Sequence, residues 1–186
     1  MSAGFDIRVA TPADAAAICA VQARTWLATY PSEDLGITRE GLRRHLEGED
    51  GERIADRITW TRMRIDGHAA KPDGGCDFVA VQAAEIVGFT APFVESSGRR
   101  RVGALYVLPT VQGWGLGHRL LERNLAWHRE DRDVYLTVAA YNERAKQFYA
   151  RHGFVFTGQQ GEDELAIGGV VMPELEMVRW GIVPAG

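Results

Sequence analysis

Residues 5–10 (FDIRVA) alternate apolar and polar side chains, a period of two that predicts a strand. Residues 11–30 (TPADAAAICAVQARTWLATY) predict a helix. Thr11 suits the N-cap, Pro12 the first helical position and Asp14 the positive end of the dipole, and Pro31 closes the segment. Amphipathic stretches at 39–46 and 53–65 predict two further helices, and 66–75 (DGHAAKPDGG) a loop. The runs 76–82 (CDFVAVQ) and 85–95 (EIVGFTAPFVE) predict a hairpin, and 99–108 (RRRVGALYVL) a strand ending at Pro109. Leu116, Leu120, Leu121 and Leu125 then form a helical stripe. Residues 133–140 (DVYLTVAA) are apolar on both faces, as a central, covered strand should be. In 142–154 (NERAKQFYARHGF), Ala145, Phe148, Tyr149 and His152 recur at helical spacing and Gly153 supplies a left-handed stop. Residues 154–158 and 174–180 complete the strands. No repeat, low-complexity tract or linker interrupts the series, so one α/β domain with a mixed sheet over 1–186 is expected.

The segment LYVLPTVQGWGLGHRLLERNL, 105–125, adds chemistry to this pattern. Gly113, Gly115 and Gly117 stand at alternate positions between a strand and a helix, although glycine weakens either element by roughly 0.5–1 kcal/mol relative to alanine. The first amides of a helix lack intrahelical partners and lie at its positive end, so a turn stripped of side chains there can hold phosphate or pyrophosphate. Packing of a tight turn is the alternative. The string is not the G-x-x-x-x-G-K-[ST] of a P-loop. It also fails G-x-G-x-x-G, since the sixth position is His118 counted from Gly113 and Leu120 counted from Gly115.

What the segment does fit is Q-x-x-G-x-G, with Gln112, Gly115 and Gly117. This resembles the acyl-CoA pyrophosphate loop of the GCN5-related N-acetyltransferase (GNAT) superfamily. LYVLP before it resembles that family's fourth strand, YNERAKQFYARHGF after it resembles the next conserved block, and the order of elements agrees along nearly the whole chain. The resemblance implies a single-domain GNAT fold, with a mixed, mostly antiparallel sheet of six to seven strands flanked by helices and splayed between the fourth and fifth strands. It implies transfer of an acetyl group from acetyl-CoA, as co-substrate, to a primary amine by direct attack in a ternary complex.

The same resemblance carries roles to particular positions. The N–H of Val107 would polarise the thioester carbonyl, and Leu105 and Tyr106 would flank the pantetheine arm. Gln112, Gly113, Trp114, Gly115, Leu116, Gly117 and His118 would form the pyrophosphate turn. Asn142, with Ala145 and Phe148, would orient the cofactor, and Tyr149 would protonate the leaving thiolate. Asn142 is also a good helix N-cap and Tyr149 also a good core residue. Arg119, Arg144 and Lys146 are within the same blocks. The run 99–101 is not, being about 26 Å up the strand from Pro109 at about 3.3 Å per residue. Trp26 and Tyr30, four apart on one helical face, and Glu33 and Tyr106 are the expected acceptor-binding residues, with core packing the alternative for Trp26 and Tyr30.

One expected part is missing. Many relatives carry a glutamate at the start of the fourth strand, where this chain has Arg101, Val102 and Gly103. An amine of pKa about 10.4 is only about 0.1% neutral at pH 7.4, a deficit of roughly 4 kcal/mol, whereas an α-amine near 8 loses far less. The general base is therefore open among Glu33, Asp34, Glu95 and Tyr106. A non-catalytic acyl-CoA sensor, or an NAD- or ATP-binding protein using the same turn, are the rival readings.

Composition narrows the partners. The formal net charge of −4 argues against nucleic acid. No apolar run approaches a membrane span, and the N-terminal segment lacks a signal-peptide pattern, so a cytoplasmic location is expected. Cys19 and Cys76 form no disulfide framework, and His45, His68, His118, His128 and His152 show no metal-ligand spacing, so no metal is expected. The acceptor, a small-molecule or peptide amine, and homodimer formation are left undetermined.

Overall fold

A computed structural model describes residues 4–129, 131–161 and 165–182. Strand β1 (Asp6–Val9) leads through a single 3-10 turn into α1 (Ala15–Thr29). The Asp14 carboxylate holds that entry: it accepts from the Thr11 N–H at 2.7 Å and from the Arg8 guanidinium at 2.7 and 2.9 Å. Helix α2 (Arg39–Glu47) is capped by the Thr38 hydroxyl, which accepts from the Gly41 N–H at 2.9 Å, and it ends at Gly48, whose φ of +85° suits only glycine.

Helix α3 (Glu52–Ala70) outlasts its sequence expectation by one turn, taking in 66–70 from the predicted loop. The extra turn has a tertiary cause. His68 Nδ1 lies 2.8 Å from a carboxylate oxygen of Asp77, which also pairs with Arg64, so a buried acid at the start of the sheet draws the helix end onto itself.

The remaining elements are β2 (Phe78–Gln82), β3 (Glu85–Val94), β4 (Arg100–Val107), α4 (Leu116–His128), β5 (Val134–Ala139), α5 (Glu143–Ala150), β6 (Val155–Gln160), a two-rung hairpin β7 (Ala166–Ile167) and β8 (Val170–Val171), and β9 (Glu174–Arg179). Seven strands form one sheet in the order β1-β2-β3-β4-β5-β9-β6, antiparallel at every junction except β4 with β5. This is the mixed, mostly antiparallel sheet expected.

Two features of β4 position the site. First, its register with β3 slips between Thr90↔Leu105 and Pro92↔Val102, so Gly103 and Ala104 both face Ala91. Such a bulge reverses the alternation of side chains beyond it. Val102 therefore packs with Leu121 of α4, as do Leu105 and Val107 with the α4 side further along, while Tyr106 turns to Trp26 of α1. Second, β4 and β5 are paired only at Arg100↔Val134 and Arg101↔Tyr135, and beyond those rungs the strands part.

The core is divided accordingly. One cluster joins α1, α3 and α4 to β2–β4 around Ile18, Val79, Phe89 and Leu120. A second gathers Leu121, Val134, Leu136, Phe154 and Met177 between α4 and β5, β6 and β9. A third seats Trp26, Ile37, Leu42 and Leu46 against Ala139, and the small hairpin contributes Ile167 to it.

Candidate active site

The parted end of β4 exposes main-chain groups. Leu108 N–H donates to Val87 O at 2.9 Å, and in an antiparallel ladder residues alternate in the direction of their polar groups. With the register Gly88↔Val107, the N–H and C=O of Val107 point away from β3 into the gap that β5 has left. The carbonyl there accepts from Gln112 Nε2 at 3.0 Å and from the Thr25 hydroxyl at 3.5 Å.

Directly after the gap comes the glycine turn. Gly113 and Gly115 have φ of +87° and +79°, the left-handed region that other residues resist, and a Cβ on either would meet nothing within 4 Å. Gly115 is also the N-cap of α4 and offers no capping side chain, so the first amides of the helix are left without a side-chain cap. Gly117 differs. Its φ is ordinary, and a Cβ there would sit 3.7 Å from the Phe148 ring in normal contact. Leu116 is buried and anchors the turn, whereas Trp114 is exposed, its ring 6.4 Å from that of Phe5. His118 Nδ1 lies 2.8 Å from His152 Nε2. Among the described residues, the Val107 N–H on the unpaired edge of β4 and the uncapped amides at the start of α4 lie along one line of main chain, suited to a thioester carbonyl at one end and a diphosphate at the other.

Helix α5 closes the gap from the α4 side. Asn142 caps it, its Oδ1 accepting from Ala145 N–H at 3.1 Å, so the capping role weighed from the sequence is realised. Arg144 donates to Gln112 Oε1 at 2.6 Å and ties α5 to the turn. Lys146 and Arg119 donate to the carbonyls of Ala140 and Phe5 at 2.7 and 3.1 Å. Tyr149 is half-buried, its ring against Phe148 and Phe154. Loss of water around its hydroxyl raises the phenol well above 10, and the nearby Tyr106 phenol adds to this. A phenol so placed stays protonated throughout the neutral range.

The α1 side is aromatic. Trp26 meets Tyr30 edge to face at 5.3 Å, stacks on His45 at 6.0 Å and lies 6.5 Å from Tyr106. Tyr141 donates its hydroxyl to Tyr30 O at 2.9 Å, binding the loop after β5 to the end of α1. Burial raises the phenols of Tyr30, Tyr106 and Tyr141. The Trp26 indole N–H is directed toward the Tyr106 hydroxyl, yet it is buried with no acceptor within hydrogen-bonding distance. Glu33 and Asp34 are exposed in the turn after α1. Glu95 pairs with Arg101 at 3.3 Å, away from the parted end.

Two carboxylates on this face come from β9 and were not singled out from the sequence. Leu175 and Met177 pack toward α5, so Glu174 and Glu176 project from the opposite face, beside Tyr30 and Tyr106 for Glu174 and beside Arg99 and Arg101 for Glu176. Glu176 is buried and held at 2.6 Å by Arg99 and 3.7 Å by Arg101. The alternation in ELEMVR was the available signal, but a polar residue at every second position of a last strand reads as a solvated face.

Comparison with known proteins agrees with this geometry. The model of the acetyltransferase (GNAT) domain family matches residues 69–168. No curated protein matches the chain. Among solved structures, PaiA N-acetyltransferase from Thermoplasma acidophilum in complex with coenzyme A superposes with a TM-score of 0.66 at 16% identity, over 95% of this chain and 99% of that one. The acetyltransferase of the GNAT family from Streptococcus pneumoniae gives 0.67 at 23% over 96% and 99%. YncA from Salmonella typhimurium with its cofactor acetyl-CoA gives 0.67 at 20% over 98% and 97%. The family match covers the hairpin, the parted strand, the glycine turn and α5, and the chain belongs to the GNAT acetyltransferase family.

Proposed function

We propose that the protein transfers an acetyl group from acetyl-CoA to a primary amine by direct attack. The observation that carries the reading is the edge of β4 at Val107, left unpaired by β5, running into a left-handed glycine turn at the start of α4. The residues present suit the co-substrate: amides and glycine for the diphosphate, an N–H at Val107 for the thioester oxygen, and a protonated phenol at Tyr149. Two proteins of the same fold hold coenzyme A or acetyl-CoA.

In this reading acetyl-CoA supplies an acyl group activated as a thioester. The Val107 N–H stabilises the negative charge that develops on the carbonyl oxygen, an effect worth about 3–4 kcal/mol for a well-placed donor. The amine nitrogen forms the C–N bond, the C–S bond breaks with its electron pair going to sulfur, and Tyr149 gives that sulfur a proton. The proton lost by the amine nitrogen then restores the phenol. A second proton, released when the incoming ammonium becomes an amine, goes to solvent. Catalysis thus needs a neutral amine and a protonated Tyr149, and the rate should rise from pH 7 to pH 9.

The test is free-thiol release from acetyl-CoA across an amine panel, in the wild type and in Tyr149→Phe. The expected result is acceptor-dependent thiol release that falls about 100-fold or more in the variant, the usual size of a general-acid contribution, with coenzyme A affinity unchanged. Coenzyme A binding without thiol release for any amine would favour an acyl-CoA sensor. Undiminished turnover in the variant would remove Tyr149 from the reaction.

A further inference from the structure

The helical layer holds a cavity that the acetyl-transfer reading does not use. It lies between α1, α2 and α3 and measures about 480 Å³, inside the range of roughly 300–1,000 Å³ usual for small-molecule sites. Its buried lining is Trp26 of α1, Leu46 of α2 and Thr61 of α3. The rest comes largely from one face of α3, where Arg53, Asp56, Arg57 and Trp60 recur at helical spacing. Trp60 is exposed, with the Arg64 guanidinium 5.4 Å from its ring centre. Positive charge is in excess here. Arg57 is half-buried and donates to Leu46 O at 3.0 Å and to Gln22 Oε1 at 2.7 Å, both uncharged acceptors. Among the described residues no carboxylate pairs with Arg53 or Arg57, and Asp56, the acid lining the cavity, offsets at most one of the two charges. His45 lines the cavity too, stacked on Trp26 at 6.0 Å. Burial first, and then the charges of Arg53 and Arg57, hold its ring below the ordinary histidine value.

We propose that this cavity binds an organic monocarboxylate, with the carboxylate between Arg53 and Arg57 and the apolar body against the Trp26 and Trp60 rings. A guanidinium matches a carboxylate through two parallel hydrogen bonds and sheds its water more readily than an ammonium does. Arg57, already held at Gln22 and Leu46, has little rotamer freedom left to lose when a ligand arrives. An arginine placed only to support the fold would meet a carboxylate of the chain. Here two neutral oxygens fix the group and leave its charge unanswered. Two arginines against one aspartate leave a surplus of one charge, which suits a monoanion better than a phosphate dianion.

The cavity shares a wall with the candidate active site. Trp26 lies 5.3 Å from Tyr30 and 6.5 Å from Tyr106, ring centre to ring centre, and Tyr106 precedes Val107 on β4. The carboxylate can therefore belong to the amine acceptor itself or to a separate effector lodged behind the acceptor's aromatic wall. The site stands on its own geometry, and only the choice between these two sources rests on the acetyl-transfer reading.

The experiment is a calorimetric titration of the full chain with phenylacetate, with and without saturating coenzyme A, beside 2-phenylethanol as the neutral analogue and phenyl phosphate as the dianion. Phenylacetate should bind saturably and about tenfold more tightly than 2-phenylethanol, the scale of one charge-assisted hydrogen bond, with phenyl phosphate weaker than phenylacetate. Arg53 is exposed, so Arg53→Gln should keep the circular dichroism spectrum and coenzyme A affinity of the wild type while weakening phenylacetate about tenfold. Asp56→Asn should tighten phenylacetate about threefold by removing an opposing charge, a gain that a purely structural role would not give. Absence of saturable binding, equal binding of 2-phenylethanol, or wild-type affinity in Arg53→Gln overturns the proposal. Free-thiol release from acetyl-CoA tells the sources apart. Release with phenylalanine but not with 2-phenylethylamine assigns the carboxylate to the acceptor, and release with carboxylate-free amines while phenylacetate stays bound assigns it to an effector. Phenylacetate binding with no release from any amine would defeat the acetyl-transfer reading alone and leave the site to an effector.

Discussion

Single residues in the turn separate folding from binding. Gly113 and Gly115 are fixed by their left-handed φ, so any substitution there costs stability and confuses the two. Gly117 is not so constrained. It lies in the first turn of α4 with an ordinary φ, and a Cβ would rest 3.7 Å from the Phe148 ring. Alanine exceeds glycine in a helix by about 1 kcal/mol, so Gly117→Ala should raise the thermal midpoint or leave it unchanged. The same methyl would occupy the space in front of the first amides of α4. Coenzyme A affinity, measured by calorimetry, should fall at least tenfold in this more stable protein. A variant that binds coenzyme A as the wild type does would show that the diphosphate is not held at these amides.

At the scale of the element, α4 carries an internal pH sensor. His128, in its last turn, is fully buried and its Nε2 donates to Arg101 O at 3.0 Å, while Nδ1 has no partner. Burial lowers its pKa from 6.5 to about 4, and the neighbouring Arg100 adds to the effect. The folded chain thus favours the neutral ring, whereas the unfolded chain takes up a proton near pH 6.5. The stabilisation is complete above pH 6.5 and is lost as pH falls toward 4, amounting to about 3 kcal/mol at 1.36 kcal/mol per unit. Denaturant midpoints measured from pH 7 to pH 4.5 should fall, and His128→Gln, whose amide can still donate to Arg101 O, should flatten that fall. An equal slope in both proteins would assign it to other groups. Asp14 does not interfere, because Arg8 holds its carboxyl down at about 2 and its contribution is lost only below 3.8.

The elements differ in how far the sequence announced them. The strands of the main sheet follow from alternating or continuously apolar runs bounded by turn residues, and α4 and α5 from their apolar stripes. The hairpin β7–β8 was passed over, although Gly168-Gly169 between two apolar pairs is a turn signal, because strands of two residues leave no measurable period. The bulge at Gly103 and Ala104 was hidden for a different reason. It is a register shift between two strands, and neither strand's own pattern contains it. Glu174 was missed on the same principle. Its surroundings arise only when β9 is inserted between β5, some forty residues earlier in the chain, and β6, some twenty residues earlier.

For the molecule as a whole, the parted sheet implies that ligand and stability are linked. The β1–β4 half and the β5–β9–β6 half share two ladder rungs, and they are joined besides by the apolar cluster around Leu121 and Leu136, by Ala139 against Trp26, and by side-chain links such as Arg101 to Glu176 and Tyr141 to Tyr30. A ligand lying along Val107, the α4 amides and α5 would contact both halves at once, since α4 packs on β3 and β4 while α5 follows β5. Binding at a hundredfold excess over Kd adds about 2.7 kcal/mol to the folded state. For a chain of this length that corresponds to about 5–11 °C in the midpoint at roughly 2–4 °C per kcal/mol. Stabilisation confined to one half would protect only that half's amides from hydrogen exchange, because local opening proceeds in separate cooperative units. Bridging should instead slow exchange at Val107 and along Leu136, Thr137 and Val138 together when coenzyme A is added, with ATP producing a smaller midpoint shift. Protection of the β4 edge alone, with β5 unchanged, would mean that the ligand sits on one half and that the separation of the strands serves some purpose other than holding it.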